Sequence, residues 1–372
     1  MITTLFYPSI GGVENHVYNL SKELVKKDII VKIINPVINL GKNDIYDLEG
    51  IEVHRITVGN NEDERKYLKY KSKSKQNLFG FFNGYKRKCY YNKFSNDVYE
   101  YILKDIELER PDKFILHQHD FISSIKLSKK LSKKYNIIFT NHTGEFLFLK
   151  KLPFSNLIIK KLTSHFKFII APSNELADFK DIRNENTYSF LSNGVDVEKF
   201  LPVTEIEKNN LRDKYNIHNI SFVFAGNDYL DYPEYRDEIL NIIKNKSLRE
   251  YVYLQGNIDY KIMNELIKMS DIVAIPSLME AISLSALEGM ACGKIIIGTN
   301  VGGFPQIIQN AETGFLVEPE DEEKLAQIIK DVSSGLYNNI KICEKARKFV
   351  EVKYSWSFIC SNTINIYDKF WN

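Results

Sequence analysis

Residues 271–303 read DIVAIPSLMEAISLSALEGMACGKIIIGTNVGG, and the fold turns on this stretch. Asp271–Ile275 is an apolar run of strand length, too short for a helix, and Pro276-Ser277 breaks it. Ser283 and Ser285 can each cap a helix, after which Leu284, Leu287, Met290 and Ala291 recur at helical spacing. Gly293 stands where a helix C-terminal glycine belongs, and Lys294–Gly298 is a second buried strand. Strand, loop, helix, glycine and strand make one βαβ unit of a parallel sheet. Such sheets take ligands beyond the carboxyl ends of their strands, which places the loop Pro276–Ser283 at the binding rim.

Two carboxylates mark that rim: Glu280 in the loop and Glu288 in the helix, eight positions on. A helix start offers free N–H groups and a positive dipole end, a ready cradle for phosphate. Carboxylates repel phosphate, so their natural partners are hydroxyl groups. The pattern suits a nucleotide sugar, with its diphosphate on the helix amides, sugar hydroxyls near Glu280 and ribose hydroxyls near Glu288. A solvated loop glutamate and a surface helix glutamate would leave the same spacing.

The whole stretch, from PSLMEAISLSALEGMACGK to NVGGFPQII, resembles the Glu-x7-Glu signature of retaining glycosyltransferases of the family 4 (glycosyl transferases group 1) type. That resemblance implies an α/β protein of the GT-B class, two Rossmann-like doubly wound parallel-sheet domains facing a central cleft. It also implies transfer of a sugar from a nucleotide-sugar donor to a glycan or lipid-linked acceptor. Retention at the anomeric carbon comes with the family, as do the absence of any required metal and a place in cell-surface glycan biosynthesis.

Length bounds the same picture. With 372 residues, two ordinary domains are expected. No apolar run reaches the 18 or so residues of a membrane span, and MITTLFYPSIGGVE is not a signal peptide. Cys89, Cys292, Cys343 and Cys360 have no paired spacing, so neither disulfides nor a zinc site is expected, and a reducing cytoplasm fits. The formal net charge of +2 hides an asymmetry: residues 1–200 carry 32 Lys+Arg against 24 Asp+Glu. Between Arg65 and Lys93 stand ten basic residues, no acidic one and eight interleaved aromatics. Such a segment can lie on an anionic membrane surface, or be a solvated helical face over ordinary core. No nucleic-acid module surrounds it.

In chain order, Thr3–Tyr7 reads as a first strand, shorter than usual, which places the natural start upstream. Gly11-Gly12 and a helix from Glu14 to Lys27 follow, a geometry that lets backbone approach an anion. FYPSIGGVENHVYNL is similar to the family's amino-terminal loop, which faces donor diphosphate and acceptor. Strands at Ile29–Asn35, Ile51–Ile56, Phe114–His117 and Ile137–Thr140 are expected, the last two releasing His119 and His142 at the rim. The resemblance gives His119 to the donor sugar and His142 to the reaction centre. Two histidines lack a third ligand at metal spacing, so no metal is expected.

Phe168–Ala171 is a further strand, and Ser173 caps the next helix. Leu191–Asp196 resembles the family's segment at the end of the first domain, and the linker falls near Phe200-Leu-Pro202. The domains are then 1–200 with a returning helix at 355–372, and 201–354. Ser221–Ala225 opens the second as a buried strand.

Here the family pattern fails. Members carry Arg directly after the glycine and Lys a few residues on, both for the donor phosphates; this chain has Asn227-Asp228-Tyr229, with Arg236 the nearest cation. Removing one group from a developing charge costs about 2.7–4 kcal/mol, roughly 10²–10³ in rate. That favours a degenerate homologue which only binds a nucleotide or glycan, or scaffolds an active partner. Ala281-Ile282-Ser283 replaces a glycine-aromatic-glycine triplet, though Ser283 keeps its N–H for the donor.

Overall fold

The computed structural model describes residues 1–6, 12–72, 86–142, 149, 154–171, 187–217, 221–226, 233–256, 258–278, 280 and 282–372. The chain divides into two compact units, Met1–Gly194 with Trp356–Asn372, and Val195–Ser355.

In the first unit, β1 (Val31–Ile38) pairs in parallel with β3 (Ile51–Val58), and β2 (Asp44–Leu48) joins β3 antiparallel at the edge. A second run, β4 (Leu116–Gln118), β5 (Ile137–Thr140), β6 (Phe168–Ala171) and β7 (Tyr188–Phe190), is wholly parallel. Thr3–Phe6, the described part of the expected strand Thr3–Tyr7, form no strand, but Ile2 just before them bridges both Ile34 and Gln118 and so links the two runs. The amides of Ile2 and Thr3 donate to His117 and Ile34, and Ile2 and Met1 accept from His119 and Ile34.

β5 and β6 are buried at every position, as strands covered on both faces must be. The period of two assigns the side chains. Ile137, Phe139, Ile169 and Ala171 face one core with Val98, Ile102, Leu127 and Ile159 from covering helices. Ile138, Phe168 and Ile170 face the other, with Val17, Leu20 and Leu24 of helix Gly12–Val25 and with Trp356, Ile359 and Ile366 of helix Trp356–Tyr367. Each such side chain, fully buried, contributes about 1.5–3 kcal/mol. The segment Pro172–Glu175, with its expected cap Ser173, lies outside the described residues.

In the second unit, β10 (Ile272–Ile275), β11 (Ile295–Thr299) and β12 (Phe315–Val317) form a parallel sheet, and β8 (Phe222–Ala225) pairs in parallel with β9 (Val252–Gly256). The unit decided by the opening stretch is β10, helix Leu284–Ala291 and β11. Gly293 ends it in the left-handed region at φ 65°. Gly289 is helical, and a Cβ there would stand 2.6 Å from Ile296 Cδ1, so its absence lets the helix lie close on the sheet. The expected burial of β8 is not found: Phe222 and Phe224 are 44% and 52% exposed. Val223 turns to the other face and packs against Ile217, Leu266 and Met269, so it is the face carrying Phe222 and Phe224 that stays open.

Candidate functional site

On the first unit the rim is built by the ends of β4 and β5. β4 releases His119 and β5 releases His142, and Nδ1 of His119 lies 3.0 Å from Nε2 of His142 with the rings stacked at 18°. Helix Gly12–Val25 adds His16, 4.4 Å from His142 between ring centroids, with Trp356 edge-on behind it at 5.3 Å. Nδ1 of His16 lies 2.9 Å from Asn193 Oδ1 and so donates to it, which leaves Nε2 as a lone pair. Beneath them His117 is held between Tyr367 Oη and Thr140 Oγ1, each at 2.7 Å.

Burial keeps this cluster uncharged. It lowers His16 to about 4 against the opposing Asn193 hydrogen bond, and holds His117, His119 and His142 well below the ordinary range, neighbouring imidazoles adding to the effect. In a neutral pair only one of His119 Nδ1 and His142 Nε2 carries the shared proton. Nε2 of His119 is then either a bare acceptor or an N–H donor, and among the described residues it has no partner. A sugar hydroxyl, which both donates and accepts, would satisfy either state.

His16 is the residue that spacing missed as a third imidazole, because it arrives from a helix far earlier in the chain. Its ligand atom and those of His119 and His142 lie within 4.8 Å of one another. A tetrahedral ion with bonds near 2.0–2.1 Å would need nitrogens about 3.4 Å apart. The three could therefore hold a metal ion after small shifts, while the His119–His142 pair already stands at hydrogen-bond distance. Gly12 opens helix Gly12–Val25, and among the described residues nothing lies within 4 Å of a would-be Cβ, while Glu14 already puts a buried carboxylate in that first turn. Gly11 lies outside the described residues.

On the second unit Ser283 caps helix Leu284–Ala291, its Oγ accepting from the Ala286 amide at 3.3 Å. The remaining first-turn amides form the dipole end expected to meet phosphate. Glu280 is half-buried, and its carbonyl accepts from the Gly303 amide at 3.4 Å, tying the loop to the glycine pair at 302–303. Glu288 is only 5% exposed, which removes the reading of a surface helix glutamate. Its charge reaches Lys199, whose ammonium burial lowers while Asp196 and Glu288 pull it back up. Ile282 is packed in the core with Leu287 and Met290, leaving only its backbone for a ligand. Arg236 sits half-buried on helix Pro233–Asn245. Asn227 and Ala281 lie outside the described residues.

A sequence model described as Glycosyl transferases group 1 matches residues 205–351, and one described as Glycosyltransferase Family 4 matches residues 10–199. The chain belongs to glycosyltransferase family 4. This glycosyltransferase is 25% identical to N-acetyl-alpha-D-glucosaminyl L-malate synthase of Bacillus anthracis, across 97% of its own length and 94% of the relative's. It is 23% identical to the phosphatidylinositol N-acetylglucosaminyltransferase GPI3 subunit of Saccharomyces cerevisiae, across 99% and 82%. Among solved structures, Anabaena HepE in complex with UDP aligns over 99% of this chain and 100% of its own at TM-score 0.70 and 15% identity. Sucrose-phosphate synthase of Thermosynechococcus elongatus aligns over 96% and 93% at TM-score 0.68 and 17% identity. These neighbours and the parallel sheets make the fold GT-B.

Proposed function

We propose that this family 4 enzyme is a retaining transferase that moves N-acetylglucosamine, or a closely related sugar, from a UDP-linked donor to a hydroxyl of a glycan or lipid-linked acceptor. Two relatives named for N-acetylglucosaminyl chemistry, each matched over nearly all of this chain, support the sugar, and a neighbour bound to UDP supports the base. The observation that carries the reading is the buried Glu288 on the helix that Ser283 caps, with Glu280 in the loop just before. In this reading the amides at Ser283, Gly11 and Gly12 hold the diphosphate as charge builds on it, with Arg236 the nearest cation to substitute for the family's missing pair. Glu288 binds the ribose, Glu280 orients the sugar, and His119 meets a sugar hydroxyl with His142 behind it. Dipoles and side chains stabilise the leaving group without a metal.

The enzyme works in the cytoplasm, peripheral to an anionic membrane surface that segment 65–93 touches; four free cysteines support the compartment and the run of basic and aromatic residues the surface. No helix among the described residues is long and apolar enough to cross a membrane. The test is UDP release from UDP-N-acetylglucosamine with a panel of lipid and glycan acceptors, with and without chelator. Turnover is expected, unchanged by chelator, and Glu280→Gln should lower it by about 10²–10³. Equal turnover by Glu280→Gln and the parent would overturn the assignment.

A further inference from the structure

The first unit carries a surface pocket of about 530 Å³ whose lining includes four ammonium groups, Lys93, Lys126, Lys129 and Lys130. The rest of the lining is Asn92, Ser95 and Asn96, so every lining residue bears a polar hydrogen-bond donor and none bears a carboxylate. Lys126, Lys129 and Lys130 share one face of helix Ile125–Leu131 through their spacing of three and four. Like charges so placed destabilise a helix, so an anion between them relieves a standing repulsion. Lys126 and Lys129 are exposed, and among the described residues neither has an ion-pair partner. The other two are anchored: Lys93 on Asp63 at 2.5 Å, and Lys130 on Asn96 and over the Tyr99 ring at 5.5 Å.

The floor is built rather than incidental. Asn92 is 7% exposed; its Oδ1 accepts from the Lys126 amide at 2.9 Å and its Nδ2 donates to the Ile122 carbonyl. That fastens the pocket to the segment leaving β4 with His119, on the binding edge of the sheet. It also lies at the end of the basic, aromatic segment 65–93. Its volume, about 530 Å³, has room for a headgroup phosphate together with the glycerol beside it, whereas a nucleic-acid backbone needs a basic stripe that follows successive phosphates.

We propose that this pocket binds the phosphate of an anionic phospholipid headgroup and seats the first unit on a bilayer. The proposal adds a defined site to the peripheral-membrane reading and is independent of donor chemistry, since vesicle binding is measured without sugar nucleotide. The experiment is co-sedimentation of the full chain with phosphatidylcholine vesicles, with and without phosphatidylglycerol. The parent should bind only the anionic vesicles. Lys126→Ala/Lys129→Ala should weaken that binding about 30-fold, the loss of two charges near a membrane surface. Lys126→Arg/Lys129→Arg should restore it, and inorganic phosphate should compete better than chloride at equal ionic strength. Lys133→Ala/Lys134→Ala, which removes two charges outside the pocket lining, should bind like the parent. Unchanged binding by the first variant, an equal loss in the second pair, or tighter binding to single-stranded DNA than to vesicles would each overturn the proposal.

Discussion

Nδ1 of His16 lies 2.9 Å from Oδ1 of Asn193, a hydrogen bond spanning 177 positions of the chain. It fixes the His16 tautomer and joins the amino-terminal helix to the end of the first unit. Replacing the amide should leave a buried N–H without its acceptor, at a cost of about 1–3 kcal/mol. Asn193→Leu is therefore expected to lower the free energy of unfolding in urea by that amount and to lower kcat/KM for the donor as well. Unchanged values for both would mean that packing against Trp356 alone orients the ring.

Glu288→Gln keeps the shape of a buried side chain while removing its charge. The fold should survive, with a melting temperature close to the parent's. Donor affinity should fall about 10- to 100-fold, the worth of one or two hydrogen bonds to an ionised carboxylate. Calorimetric titration with UDP and with the UDP-sugar checks it. Full affinity in the variant would move the ribose elsewhere.

The histidine cluster makes stability depend on pH in one direction. His16, His117, His119 and His142 all have folded-state values below the unfolded value near 6.5, so the unfolded chain binds protons first as pH falls. Their contribution is intact above about pH 6.5 and is lost as pH drops toward the value of about 4 held by His16. Each histidine adds a slope of about 1.4 kcal/mol per pH unit in that window. Denaturant midpoints measured from pH 7 to pH 4 should fall steeply, and a flat profile would mean that the cluster takes up protons without unfolding.

Two glycines should respond in opposite ways to the same methyl group. A Cβ on Gly194 would stand 2.5 Å from Cδ2 of Trp356, so Gly194→Ala must shift the indole and should cost about 1–3 kcal/mol. A Cβ on Gly12 meets nothing within 4 Å among the described residues, so Gly12→Ala should leave stability unchanged. A fall in donor turnover for Gly12→Ala, with an unchanged melting temperature, would locate the ligand against that backbone.

The apolar runs of β5, β6 and β11 were legible because burial on both faces leaves no alternation to misread, whereas β10, read as a buried strand, is only half-buried with Ala274 exposed. Ser283 and Gly293 were legible because a cap and a left-handed terminus each demand a particular side chain. What escaped was the identity of neighbours. His16 reads locally as one more residue on a helix, and only the packing of that helix over the sheet sets it against His142. The edge strand Asp44–Leu48 escaped for a related reason: it is mostly exposed, so it lacks the hydrophobic signature used to find its partners. β8 misled in the opposite direction, since Phe222 and Phe224 look like core and are not covered. The carboxylate of Glu288 could be placed on a helix from spacing, but not turned inward.

Residues Trp356–Asn372 close the first unit. Asn372 donates its amide to Phe114 and its side chain to the Asn136 carbonyl, and helix Trp356–Tyr367 covers the face that Val17, Leu20 and Leu24 share. Residues 356–372 must therefore be synthesised before the amino-terminal half can complete its own core. A premature stop anywhere in the second unit would strip that half of a wall as well, so neither piece should be recoverable as a soluble fragment by simple truncation.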